Sequence, residues 1–566
     1  MQRLLPWLSL VLVAAIGCQG GTEPAGGPAA SPPPHAQRLI TATISDPKTF
    51  NPILVVDSAS GLAVGDLFDA LVRLNPLTTE MEPSLAESWE YSADGAICTF
   101  HLRRNVRWHD GAPFTAADVK FTFDAIFDEH VPNSSKFTLL VDGQPIKVEV
   151  VDDYTVRFVA PRPFAPLINS VGQAILPKHL LGAALQNGTF GQQWGIDTPP
   201  DKLIGTGPYR MTRYVPAQFI EFQRNPDYWM KDDAGHPLPY LETQTVLIVP
   251  NQDTLYLKFL SGQTDTHAPR PEEVADLRGK SAQLKITVQE IGLETGSQFV
   301  SFNRNPRHYV VSGKQDPRLT WFTDAHFLKA MAHAIDKQAI IVNTLNGYGK
   351  PAVAEISPEN KLYHNPNLTD YDYNLETARQ LLAEAGYVLR DGQLYDKDGN
   401  AIEFSLNTNA GNQLREKLCS ILKEDWTKLG MRVNYRPLDF TTLVEKIDHT
   451  FDWDAILIGF TGTTEPNNGA NLLRSSGNLH LWNPNQSEPA TPWEADIDRL
   501  LEQGSREIDV HKRQQYYWRI QEILHEQLPM IETVRQTQFL AYKTFLENYR
   551  ATVWGLYRPE LIRIAQ

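Results

Sequence analysis

Few residue groupings in this 566-residue chain could make or break bonds. His109-Asp110 sets an imidazole beside a carboxylate, the pairing of a general base and its orienting acid. No nucleophile is tied to it by a motif, and Gly111 follows, so a turn is the better reading. Gly279-Lys280-Ser281 lacks the flanks of a nucleophile elbow or a phosphate loop and reads as a helix end. The sequence holds no H-E-x-x-H, no Walker A motif and no G-x-G-x-x-G. Its 15 histidines are scattered without metal-ligand spacing, so neither a metal nor a cofactor is expected. Cys98 and Cys419 read as small buried apolar residues rather than a redox pair. What the chain does offer is recognition chemistry. It has 24 Phe, 20 Tyr and 12 Trp, enough to line a cleft, though a large core needs them too. The run GFTGTTEPNNGANLLRSSG at 459–477 is rich in small and amide residues. Asn467, Asn468 and Asn471, with Trp482 beyond them, would suit a sugar or a neutral amide-rich ligand; the same composition also makes a plain loop.

The elements that must position such groups belong to a globular body. With 67 acidic and 52 basic side chains the net charge is −15, which argues against a nucleic-acid partner. A hydrophobic fraction of 42% and a charged fraction of 21% fit a soluble protein, and the length suggests three or four lobes. Residues 1–17 read as a signal peptide: Arg3 precedes an apolar stretch over 4–16 that is too short to span a bilayer. Ala15-Ile16-Gly17-Cys18 resembles a bacterial lipobox, with Ala15 where Leu is usual, and that resemblance implies lipidation of Cys18. Residues 19–36, dominated by Gly, Pro and Ala, read as a flexible tether. No later segment reaches the apolar length of a membrane span.

From Leu39 onward short strands mix with helices, an α/β pattern. Residues 99–108 read as a half-buried strand with Phe100, Leu102, Val106 and Trp108 on one parity, ending in the His109-Asp110-Gly111 turn. Thr115 and Asp118 cap a helix whose stripe is Val119, Phe123, Ile126 and Phe127. Asp324 caps a helix carrying Phe327, Leu328, Met331, Ile335 and Ile340 and stopped by Gly347. Asn374 caps a helix ending at Gly386, and a last long helix runs over 509–527, before Pro529. Gly111 and Gly207 suit turns with positive φ. Trp89, Trp108 and Trp229 read as packing residues.

Taken in order, these segments resemble the peptide/nickel-type extracellular solute-binding proteins of ABC importers, which include bacterial oligopeptide-binding proteins. The resemblance rests on Asp46-Pro47-Lys48-Thr49-Phe50-Asn51-Pro52, Leu67-Phe68-Asp69-Ala70-Leu71 and the run PSLAESWEYSADGAICTFHLRRNVRWHDGAPFTAADVKFTF at 83–123. It continues through Leu176-Pro177-Lys178-His179, Gly205-Thr206-Gly207-Pro208-Tyr209 and Arg224-Asn225-Pro226-Asp227-Tyr228-Trp229. Phe302-Asn303 and Ala330-Met331-Ala332-His333-Ala334-Ile335-Asp336 extend it into the C-terminal half.

This resemblance implies a two-lobed α/β clamp with an extra subdomain and a two-strand hinge. Lobe I would take residues 37–72, 204–296 and 529–566, the subdomain 73–203, and lobe II 297–528. It implies an extracytoplasmic, lipid-anchored monomer, no enzyme, that captures oligopeptides and delivers them to a membrane permease. Oligosaccharides or another polar solute are the alternative, with a protein-binding lipoprotein or a hydrolase behind them. Ligand contacts carried over by resemblance fall on Thr43, Phe299, Asn303 and the loop Gly459-Phe460-Thr461-Gly462, with Trp482 added from the amide-rich reading. Phe460 stands where the family often has Trp. One departure matters. Oligopeptide binders commonly place an Asp after that Gly-Trp pair to meet the peptide ammonium, whereas here the first acid is Glu465, beside Pro466. Either another acid serves, or the ligand has no free amine.

Overall fold

The computed structural model describes residues 37–565 apart from Val56, Ser134 and Ser312. The signal peptide, Cys18 and the tether lie outside the described residues. Three sheets carry the architecture. In the first, Arg38–Thr43 lies parallel to Thr243–Ile248, which pairs antiparallel with Phe219–Arg224 and through it with Tyr209–Val215. The second is a four-stranded antiparallel sheet ordered Ala86–Tyr91, Ile97–Leu102, Thr155–Val159, Lys147–Asp152. One apolar core runs through both, from Leu39 and Phe50 through Phe100, Trp108 and Phe158 to Ile564.

The third sheet is ordered Arg432–Leu438, Glu403–Asn409, Ala455–Phe460, Ser297–Phe302, Ile531–Glu532. Successive side chains on a strand point to opposite faces, so Val300 and Phe302 enter one core with Phe322 and Trp426. Phe299 enters another, with Trp482 and Tyr517. Two crossings join this lobe to the first. Ile286–Leu293 pairs with Val534–Lys543, and the chain enters the third sheet after residue 296. The return crossing falls at Thr533, because Ile531–Glu532 still pairs with Ser297–Phe302. There the Thr533 N–H and hydroxyl both donate to Gln298 O, at 2.9 and 2.6 Å. The result is a two-lobed α/β fold hinged on two hydrogen-bonded strands.

Local signals explain most elements and correct some expectations. The Asp118 carboxylate accepts the Thr115 N–H at 3.0 Å and fixes the start of Ala116–Phe127. The helix expected from Asp324 to Gly347 is two helices, Ala325–His333 and Lys337–Leu345. Asp336 breaks it: its side chain caps the second helix by accepting the Ala339 N–H, while its own N–H donates to Asp425. The second helix ends with Asn346, ahead of Gly347, in the left-handed conformation. The 99–108 strand stops at Leu102, although Val106 and Trp108 are buried beyond it. Gly207 is needed for close approach rather than positive φ, since a Cβ there would stand 2.4 Å from Asp66 O. Gly111 has φ +89° as expected.

Candidate functional site

His109 shows why its neighbour Asp110 forms no catalytic dyad with it. The ring is buried; Nδ1 accepts the Gly205 N–H, so Nε2 carries the proton and donates to Gly207 O, both at 3.1 Å. Burial lowers its pKa to about 4, which keeps it neutral. Asp110 turns away and pairs with His179 at 2.7 Å. This histidine is a clamp on the 205–207 loop.

A cavity of about 400 Å³ lies beside the strand crossing. Ser297–Phe302 and Ala455–Phe460 run antiparallel with Phe299 opposite Ile458, so Phe460 falls on the same face as Phe299. Their rings lie 5.9 Å apart, tilted by 31°. The loop after Phe460 then folds against the crossing strand. A Cβ on Gly462 would stand 1.9 Å from Thr295 O, so only glycine permits that approach. Arg415 secures the same edge, donating to Gln298 Oε1 at 2.9 Å, Asn409 Oδ1 at 2.9 Å and Gly459 O at 3.2 Å. Ile356, Leu472, Leu473, Leu479 and Met530 give the cavity apolar walls, and Thr463, Ser357 and Asn468 give it polar ones. Asn468 and Asn471 also border a second cavity of about 350 Å³, whose far wall is 140–143 with Arg162 and Phe164. Arg162 crosses there to Glu502 at 3.0 Å.

The structure brings Phe299, Phe460, Thr461 and Gly462 to the larger cavity. It does not bring the other expected contacts. Asn303 is buried and its amide is spent: Nδ2 donates to Phe451 O and Trp453 O at 2.8 Å, and Oδ1 accepts the Asn305 N–H. It ties down a strand end. Trp482 is buried too, and its Nε1 donates to Glu494 at 3.0 Å. Although burial pushes the Glu494 carboxyl up, hydrogen bonds from His480, Gln486, Thr491 and Trp482 hold it down at about 2. Thr43 ends its strand in the first sheet, where its carbonyl accepts the Val249 N–H, and it does not line this cavity. Glu465 serves structure. It is buried and paired bidentately with Arg513, which also donates to Tyr363 Oη at 2.8 Å.

Sequence reading missed Glu355, Ser357 and Tyr517 as cavity residues. Glu355 had a signal, being the lone charge in the run Ala352-Val353-Ala354-Glu355-Ile356. Arg535 holds the backbone behind it. This buried guanidinium donates to Thr295 O, Gly296 O, Ala354 O and Glu355 O, and so sews the first crossing and the 354–355 loop to the second crossing.

A hinged two-lobed fold with a largely apolar cavity at the crossing strands has the form of a solute-binding clamp. The family description "Bacterial extracellular solute-binding proteins, family 5 Middle" matches residues 80–480, and the chain belongs to that family. Its members are extracytoplasmic transport binding proteins rather than enzymes. The chain is 30% identical over 529 residues to a probable ABC transporter-binding protein of Deinococcus radiodurans, covering 89% of this chain and 87% of that one. It is 26% identical to the oligopeptide-binding protein AppA of Bacillus subtilis, covering 96% of each. The structure of that AppA in complex with a nonapeptide superposes with a TM-score of 0.69 at 25% identity, over 94% of this chain and 99% of the other. Among the described residues no helix is long and apolar enough to cross a membrane.

Proposed function

We propose that this protein captures oligopeptides between its lobes and delivers them to an ABC permease, held at the membrane by lipid on Cys18. The observation that carries the reading is the cavity at the hinge. Phe299 and Phe460 supply aromatic area, leucines and Met530 supply apolar walls, and the cavity adjoins a second one bounded by the other half of the molecule. The likeness to an oligopeptide-binding protein supports peptide over sugar. Asn471, one of the amides that suggested sugar, already donates one of its N–H groups to Asn478 Oδ1 at 2.7 Å. The lobes are taken as 37–72 with 204–296 and 529–566, the subdomain as 73–203, and the opposing lobe as 297–528. A ligand bridging them favours the closed state, and moving a closed:open ratio from about 1:99 to 99:1 takes about 5.5 kcal/mol of differential binding.

The test is a thermal-shift screen of the full chain in detergent against peptide pools and then oligosaccharides. A ligand at about 100 times its dissociation constant adds about 2.7 kcal/mol, a rise of a few degrees in a body of this size. A shift with peptides alone is expected. A shift with oligosaccharides alone would replace the ligand class.

A further inference from the structure

The larger cavity is uneven in charge. Glu355 is the one charged side chain in its lining, and no Lys, Arg or His of the described residues joins it there. Its main-chain carbonyl is held by Arg535 at 2.8 Å, while its half-buried carboxylate accepts from its own backbone N–H and from no described side chain. Behind it stands Glu532, which shares with Glu355 the wall of a small cavity of about 20 Å³. Glu532 is only 8% exposed, and among the described residues Ser297 is the one side chain that hydrogen-bonds its carboxylate, with no cation paired to it. Among the described residues no cation forms a salt bridge with either acid; Arg535 acts on both, and Lys337 on Glu532, only through space. Lys337 is paired with Asp370 and donates to Ala352 O at 2.8 Å. Arg535 spends its donors on four carbonyls and faces three carboxyls, Glu294, Glu355 and Glu532. A carboxylate withdrawn from water without a paired cation is costly, and so is an ammonium group brought into an apolar cavity alone. Each removes the cost of the other. The acid that the 459–477 loop offers, Glu465, is already consumed by Arg513.

We infer that Glu355, with Glu532 behind it, receives a primary ammonium group of the ligand and thereby sets specificity. The inference rests on the peptide reading only for the source of that group, the peptide N-terminus; a side-chain amine carries the same chemistry. Desolvation lifts Glu355 to about 8, so arrival of the ammonium ionises it and expels a proton.

The test is calorimetric titration of the full chain in detergent, as wild type, Glu355→Gln and Glu355→Asp. The probes are trileucine, N-acetyl-trileucine, N-acetyl-Leu-Lys-Leu and hexanediamine. Wild type is expected to bind trileucine about 30-fold more tightly than its acetylated form, and Glu355→Gln to lose about 30-fold for trileucine but under about 3-fold for the acetylated form. Glu355→Asp falls between. Preference for N-acetyl-Leu-Lys-Leu, lost in Glu355→Gln, keeps the inference and assigns the side-chain amine. Binding of hexanediamine alone, abolished by Glu355→Gln, sinks the peptide reading and leaves Glu355 in its role. Equal affinity of wild type for trileucine and its acetylated form, with no affinity for the other two amines, overturns the inference even if Glu355→Gln fails to fold. Amine binding that Glu355→Gln leaves unchanged overturns it as well, as does a wild type that binds none of the four.

Discussion

At the residue scale, the polar groups divide into those that hold the fold and those that face the cavity. Trp482 belongs to the first kind through Glu494. Trp482→Phe should cost about 1–2 kcal/mol of stability and leave ligand affinity within about twofold, read from melts and titrations run together. A tenfold loss of affinity would return Trp482 to the cleft. Glu494 also sets a pH dependence. Its folded pKa, about 2 against 4.5 unfolded, means stability that is present above 4.5 and lost as pH falls toward 2, about 3 kcal/mol at most. Glu355 works in the opposite sense. With a folded value of about 8 against 4.5 unfolded, it favours the folded state fully only below 4.5, and that advantage disappears as pH rises through 8. Melts of the ligand-free protein should therefore show Glu355→Gln more stable than wild type at about pH 9 and close to it at about pH 5. Parallel curves would show that Glu355 is not held neutral.

At the element scale, local rules wrote much of the fold into the sequence. Asp324 and Asn374 cap the helices they were expected to cap, and the last long helix, expected over 509–527, runs Val510–Gln527 with Asp509 as its cap. Sequence could not place the break at Asp336, because the same apolar stripe serves one helix or two, and the decision lies with Asp425, 89 residues away. Nor could spacing reveal that Asn303 and Trp482 are consumed internally, since their partners are long-range carbonyls and a carboxylate. The candidate site was half legible: Phe299 and the 460–462 loop came from motif position, whereas Glu355 depends on a loop whose backbone Arg535 fixes. Two substitutions probe that junction. Gly462→Ala drives a methyl into Thr295 O and should cost at least about 2 kcal/mol in denaturant unfolding. Arg535→Met leaves four carbonyls short of a donor and three carboxyls short of a cation, so a loss of about 3–5 kcal/mol is expected. A change under about 1 kcal/mol in either would mean the crossing is not held as described.

At the scale of the whole molecule, the proposed function is that the protein holds peptides between hinged lobes and releases them unchanged. The most direct measurement is native mass spectrometry of the full chain, released from micelles after incubation with a defined peptide pool and with oligosaccharides. The prediction is a one-to-one complex with peptides of unaltered mass, displaced by excess peptide and not by sugar. Complexes with oligosaccharides alone, or recovery of the peptides as cleaved fragments, would contradict it.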